Sequence, residues 1–272
     1  GGTPGGGAVG SAGIGYGFCA IDSEVCMGKK KKWPLIWALA LAVVLAGLLM
    51  VYLLYNRPPD KALFIDPLYH IDTGEKVAAL TFDDGPSDTW TPAVVDILDR
   101  YGAAGTFFML GENAEKYPEV VEMVRDHGHE IASHGYTHMR MIFRRPRVIR
   151  EQIERADAAL EEAGAAPTRL FRPPYLDKMI VTPFMLKKLG KVLVSYDAQA
   201  MLEYDRDNTD SDALAGQMVA AIRPGSIMIL HDGRSHDPTV FLEALDMALA
   251  ELTEQGYRFV TISEGLEMSR AR

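Results

Sequence analysis

Asp83 and Asp84 stand side by side where an apolar run, 77–82, stops at Gly85-Pro86. Adjacent carboxylates repel, so a pair fixed at the mouth of a core strand calls for a cation, a shared proton or an arginine beside it. The chain carries further polar residues where other apolar runs stop, histidines and an arginine among them: His134 and His138, Arg172-Pro173-Pro174-Tyr175, Asp197, and His231-Asp232. Two imidazole nitrogens with one carboxylate oxygen make the three-ligand, open arrangement of a catalytic divalent metal. The other carboxylate, held ionised by Arg172, is then available to take a proton from water that such an ion acidifies. His231 has the chemistry to protonate a leaving group. Together these residue types describe a metal-assisted hydrolase.

The elements that must bring them together follow from periodicity. Strand-like runs are expected at 77–82, 105–110, 129–133, 168–171, 191–196, 226–230 and 257–262. Helical runs at 91–100, 117–126, 147–163, 181–189, 213–222 and 238–254 separate them. A Gly follows most helices and precedes an apolar run, the C-cap device of parallel α/β folds, and continuously apolar strands imply burial on both faces. The expectation is an α/β fold, a distorted parallel βα barrel of seven strands. In such a barrel, chemistry gathers at the C-terminal strand ends, where the residues named above fall. Asp205, Asp207, Asn208 and Asp210 have the spacing of a calcium loop but lack its central Gly and closing Glu; Asp210 reads instead as a helix N-cap.

Four ordered motifs carry a specific resemblance: Thr81-Phe82-Asp83-Asp84-Gly85-Pro86, Ser133-His134 with His138, Arg172-Pro173-Pro174-Tyr175, and Leu230-His231-Asp232. Over about 76–265 the chain resembles the polysaccharide deacetylases, the NodB-homology enzymes of carbohydrate esterase family 4. The resemblance implies a seven-stranded βα barrel that removes N-acetyl, sometimes O-acetyl, groups from sugars with zinc, cobalt or a similar divalent ion. It implies Asp83 as general base, Asp84, His134 and His138 as metal ligands, and Arg172 as the residue orienting Asp83. The Tyr175 N–H would hold the oxyanion with the metal, and His231 would be the acid. Two positions depart from the pattern. Leu176 stands where the family usually has Gly, and Ala200-Met201 replace an Asp-Trp whose Asp tunes the acid histidine. Asp197 is the expected substitute for that Asp.

Before the barrel lies a different kind of sequence. Residues 1–32 read as a disordered, cytoplasmic N-terminus, with Gly-rich 1–17 and Met27 as a natural start, which would leave 1–26 and both cysteines outside the native chain. Residues 33–55 carry no charge, and at ~1.5 Å per residue they span about 34 Å of helix, enough to cross a bilayer. Lys29 to Lys32 mark the preceding side as cytoplasmic, and the run is longer than a cleaved signal needs, so a single-pass anchor is expected with the remainder extracytoplasmic. Residues 56–75 read as a linker partly packed on the catalytic domain at 76–265, and 266–272 as a tail. Residues 60–272 hold 35 acids and 23 bases, which argues against nucleic acid as a partner. The expected function is deacetylation of an extracytoplasmic amino-sugar polymer, peptidoglycan first. The alternatives are an amide or ester hydrolase on an exported or lipid-linked sugar, and a catalytically weakened glycan-binding barrel.

Overall fold

The computed structural model describes residues 1–2, 33–205, 207–233 and 237–270; the readings made of residues 3–32 lie outside them. The chain divides into two compact units, Gly1–Leu45 and Ala46–Arg272. Helix α1, Trp33–Val51, continues through one π-helical turn, Tyr52–Asn56. Among the described residues, Leu35–Asn56 is the one helix long and apolar enough to cross a membrane. Trp37, Leu41 and Leu45 all face outward, the pattern of a helix with no polar side.

From Val77 onward strands and helices alternate. The strands are β1 (Val77–Asp83), β2 (Gly105–Met109), β3 (Glu130–Ser133), β4 (Leu170–Phe171), β5 (Val192–Leu193), β6 (Ala198–Gln199), β7 (Ile227–His231) and β8 (Arg258–Phe259). Helices α2 (Trp90–Arg100), α3 (Gly111–Lys116), α4 (Pro118–Asp126), α5 (Pro146–Glu162), α6 (Val181–Lys188), α7 (Ser211–Ala221), α8 (Thr239–Glu254) and α9 (Ile262–Arg270) complete the domain. Seven strands lie in the order β5-β4-β3-β2-β1-β7-β6, every pairing parallel, and β8 pairs with the start of β1. This is the expected α/β architecture, a curled half-barrel of parallel strands. All seven residues of β1 are buried, as a central strand covered on both faces requires. Phe82 stacks on Phe107 of β2 at 4.9 Å between ring centroids. After α4 and α6 the chain reverses through Gly128 and Gly190 at φ 82° and 68°, values that glycine adopts without a Cβ clash.

Two local readings change, at the fifth strand and at the C-terminal end. Where one strand was expected at 191–196, β5 covers only Val192–Leu193, and the chain then forms the separate two-residue strand β6. The segment before β1 is built into the domain: Leu68 pairs with Val194, the Ile71 N–H donates to the Gly225 carbonyl (2.8 Å), and Ile71 is fully buried. Of the stretch expected as a tail, 266–270 belongs to α9, whose Leu266 and Met268 pack against the cluster holding Ile71. In the 205–210 stretch, Asp205 and Asp210 accept from backbone N–H groups, of Asp207 at 3.0 Å and of Ala213 at 2.9 Å, the latter as the N-cap of α7.

Candidate active site

The C-terminal ends of β1, β3, β4 and β7 meet at one groove of about 650 Å³, lined by Asp83, Asp84, His134, His138, Tyr175 and His231 among others. Asp83 is the last residue of β1, paired in register with His231, the last of β7. The chain then leaves the sheet: Asp84 takes φ 77°, its carbonyl accepts from Asn113 Nδ2 (2.8 Å), and the Asp83 carbonyl accepts from the Asp232 N–H (3.0 Å). A Cβ on Gly85 would meet the Asp232 carboxylate at 2.5 Å, so the turn demands glycine at that point. Burial pushes the Asp232 carboxyl up to about 7, with Asp84 and Asp83 adding to the rise.

The two adjacent carboxylates have different surroundings. Asp83 is 2% exposed, and its Oδ1 accepts from Arg172 Nη1 at 2.7 Å. Arg172, wholly buried, is held by Thr81 Oγ1 (2.8 Å), the Ser195 carbonyl (3.0 Å) and the face of Phe108, 4.2 Å away. A buried guanidinium needs such partners, and together they fix the orientation of Asp83. Asp84 Oδ1 lies 3.5 Å from His134 Nε2 and 3.2 Å from His138 Nε2. Burial raises the Asp84 carboxyl, but the nearness of His134, with the charge that His231 and His138 carry when protonated, more than offsets that and holds it well below the usual carboxylate range.

The donor set fits a divalent ion. The ligand atoms of Asp84, His134 and His138 all lie within 4.8 Å of one another, and Asp84 Oδ1 is a buried acceptor without a hydrogen-bond donor. His134 donates from Nδ1 to the Arg172 carbonyl (2.8 Å), which fixes its tautomer and leaves the Nε2 lone pair on the Asp84 side. Burial pushes His138 down, partly opposed by Asp84, and so favours the neutral imidazole that a metal needs.

One expectation meets the structure differently at His231. Asp197, expected beside His231, sits at the other end of β7: its Oδ1 accepts from the Ile227 N–H (2.9 Å), while Oδ2 takes His70 Nδ1 (2.7 Å) and Arg223 Nη2 (2.9 Å). Ile227 is four residues before His231, about 13 Å along a parallel strand at ~3.3 Å per residue. The short β6 explains the error, because Ala198 pairs with Met228 and Asp197 therefore falls at the start of a strand, not the end. The carboxylate that does meet His231 is Glu203, with Oε1 3.0 Å from His231 Nδ1. Glu203 lies in the 3-10 turn Met201–Tyr204 that follows β6, and its side chain is 2% exposed. A lone Glu beyond the departed motif gives no pattern to read; only the turn carries it back to the histidine. Tyr175 and the unexpected Leu176 both take positive φ, 57° and 51°, and the Tyr175 ring lies 4.4 Å from that of His138.

The polysaccharide deacetylase family model matches residues 70–194. A peptidoglycan-N-acetylglucosamine deacetylase of Bacillus cereus is 34% identical over 198 residues, covering 72% of this chain and 91% of the relative. The Bc1960 peptidoglycan N-acetylglucosamine deacetylase, solved with a hydroxamic-acid-type benzamide, matches at TM-score 0.69 and 26% identity over 74% of this chain and 92% of that one. BA3943 of Bacillus anthracis, described as a CE4 family pseudoenzyme, matches at TM-score 0.67 and 25% identity over 76% and 70% of the two chains. With the motif residues assembled at one groove and a relative of this identity and coverage, the chain belongs to the polysaccharide deacetylase family.

Proposed function

We propose that this protein is an active, metal-dependent N-deacetylase of an extracytoplasmic amino-sugar polymer, peptidoglycan first, anchored in the membrane by the helix 33–55. The observation that carries the reading is the separation of Asp83 from Asp84: one carboxylate is held by Arg172, the other turned to two histidines. Asp84, His134 and His138 would hold the ion, with zinc as first choice and cobalt or another divalent ion as alternatives. When bound, the ion polarises the acetyl carbonyl and lowers the pKa of water. Asp83, oriented through Oδ1, takes the proton of the attacking water on Oδ2. The Tyr175 N–H is the proposed donor to the developing oxyanion. His231, bonded through Nδ1 to Glu203, gives its Nε2 proton to the amine as the C–N bond breaks, and acetate leaves with the free amino sugar.

A pseudoenzyme reading draws support from the BA3943 likeness and from Ala200-Met201. Glu203 argues for activity, since the acid histidine retains a carboxylate partner despite the loss of the usual one. Incubating the zinc-loaded full chain with peptidoglycan and with N-acetylated chito-oligosaccharides, and reading acetate and product mass, separates the readings. Acetate with a matching mass loss supports a deacetylase and identifies the glycan; intact substrates with saturating metal bound favour the pseudoenzyme.

A further inference from the structure

The segment from Arg172 to Lys178 carries both the arginine that orients the proposed base and the tyrosine proposed to face the oxyanion. Tyr175 and Leu176 sit in the middle of it at φ 57° and 51°, a region that side chains other than Gly and Asn populate sparsely. Such a conformation persists only where the flanking residues are pinned. Arg172 pins one end. The other end, Asp177 and Lys178, is equally buried, at 1% and 0% exposure.

What holds that end comes from outside the barrel. The Lys178 N–H donates to Asn56 Oδ1 at 2.7 Å, and Lys178 Nζ donates to the carbonyls of Tyr55 (3.2 Å), Asn56 (2.8 Å) and Pro58. These carbonyls end the π-helical turn and its exit, where a helix leaves acceptors without intrahelical partners and presents the negative end of its dipole. The lysine therefore caps that turn, and the turn in return satisfies a buried ammonium. On the groove side, Asp177 accepts from Arg140 Nη1 and the Met141 N–H, both at 3.2 Å. The Arg140 guanidinium lies 4.4 Å over the Tyr175 ring, which packs on His138. A continuous set of contacts thus joins residues 55–58 to the metal-site histidine and to Tyr175.

We propose that Asn56 and the carbonyls of 55–58 are positioning elements of the active site: through Lys178 they hold the Tyr175 loop in its catalytic conformation. The inference rests on the deacetylase reading above for its kinetic consequence, and on geometry alone for its structural one. The test uses the zinc-loaded full chain in nanodiscs, as wild type, Asn56→Ala and Asn56→Asp, with acetate release from an N-acetylglucosamine oligomer and amide hydrogen exchange read on the same samples. Asn56→Ala leaves the buried Lys178 N–H unpaired, and kcat is expected to fall about tenfold with KM within twofold. The Leu176 and Asp177 amides exchange faster while those of β1 and β7 do not change. Asn56→Asp keeps the acceptor and restores both readouts. Wild-type kcat or unaltered exchange at 176–177 in Asn56→Ala overturns the proposal, as do equal losses in the two variants. If the wild type releases no acetate, the deacetylase reading fails, and the exchange data alone uphold or overturn the hold on the loop.

Discussion

Replacing Glu203 by Gln removes one charge from a site that otherwise keeps its shape. The carboxylate lies 3.0 Å from His231 Nδ1 and its side chain is 2% exposed, so solvent screens little of the interaction. A hydrogen bond to a charged group contributes about 1.5–3 kcal/mol. Losing that charge while retaining a neutral acceptor removes up to this amount from the protonated histidine and from the transition state in which it gives up its proton. At 1.36 kcal/mol per decade, kcat is expected to fall by about 10- to 100-fold. The loss should also carry a pH signature: the alkaline limb of the kcat profile moves to lower pH, so that part of the activity returns on acidification. The assay is the rate of acetate release across pH, with thermal melting as the control for folding. Asp197→Ala provides the contrast, since it frees the Ile227 N–H, His70 and Arg223 at the far end of β7. It should lower the melting temperature without moving the pH limb. An unchanged profile in Glu203→Gln, or a shifted one in Asp197→Ala, would refute the assignment of Glu203 to the acid histidine.

Two further outcomes are expected away from the acid. Asp84→Asn and His138→Ala each remove a proposed ligand, so metal affinity by equilibrium dialysis should drop by more than the 10- to 100-fold typical of losing an outer partner. Metal at 100 times its Kd should stabilise the wild type by about 2.7 kcal/mol and those variants by far less. His129 supplies a pH effect on stability. Burial pushes it down, and its Nδ1 accepts from the Gly105 N–H at 3.3 Å, a bond that only the neutral ring makes. The unfolded chain therefore binds the proton more readily, and stability is lost as pH falls through the ordinary histidine range near 6.5. His129→Asn should show a shallower decline in melting temperature between pH 7 and 5, whereas a slope equal to wild type would contradict the neutral assignment.

How much of this was legible in the sequence depends on whether a residue's neighbours lie in its own strand or in a turn. The β1, β2, β3 and β7 positions were readable because continuous apolar runs mark strands buried on both faces, and Asp83, His134 and His231 follow from where those runs stop. Arg172 was placed by its motif, though the shell of Thr81, Ser195 and Phe108 around it was not visible. Strands of two residues carry no periodicity, so nothing in the sequence marks β6, and Asp197 reads as the end of the 191–196 run when it stands at the start of the next strand. Glu203 and Asn56 reach their partners from a 3-10 turn and a π turn, whose side-chain directions do not follow from spacing. The docking of 68–71 beside β5 and β7 depends on unpaired strand edges that only the assembled sheet exposes.

The division of labour between Asp83 and Asp84 is tested most directly by measuring acetate release and bound metal together in wild type and Asp83→Asn. Asp83→Asn keeps Asp84, His134 and His138, so metal content should match wild type, while the rate on N-acetylated peptidoglycan falls by about 10²- to 10⁴-fold, the usual contribution of a general base. Wild-type rates in the variant, or loss of the metal along with the activity, would contradict the separation of base from ligand.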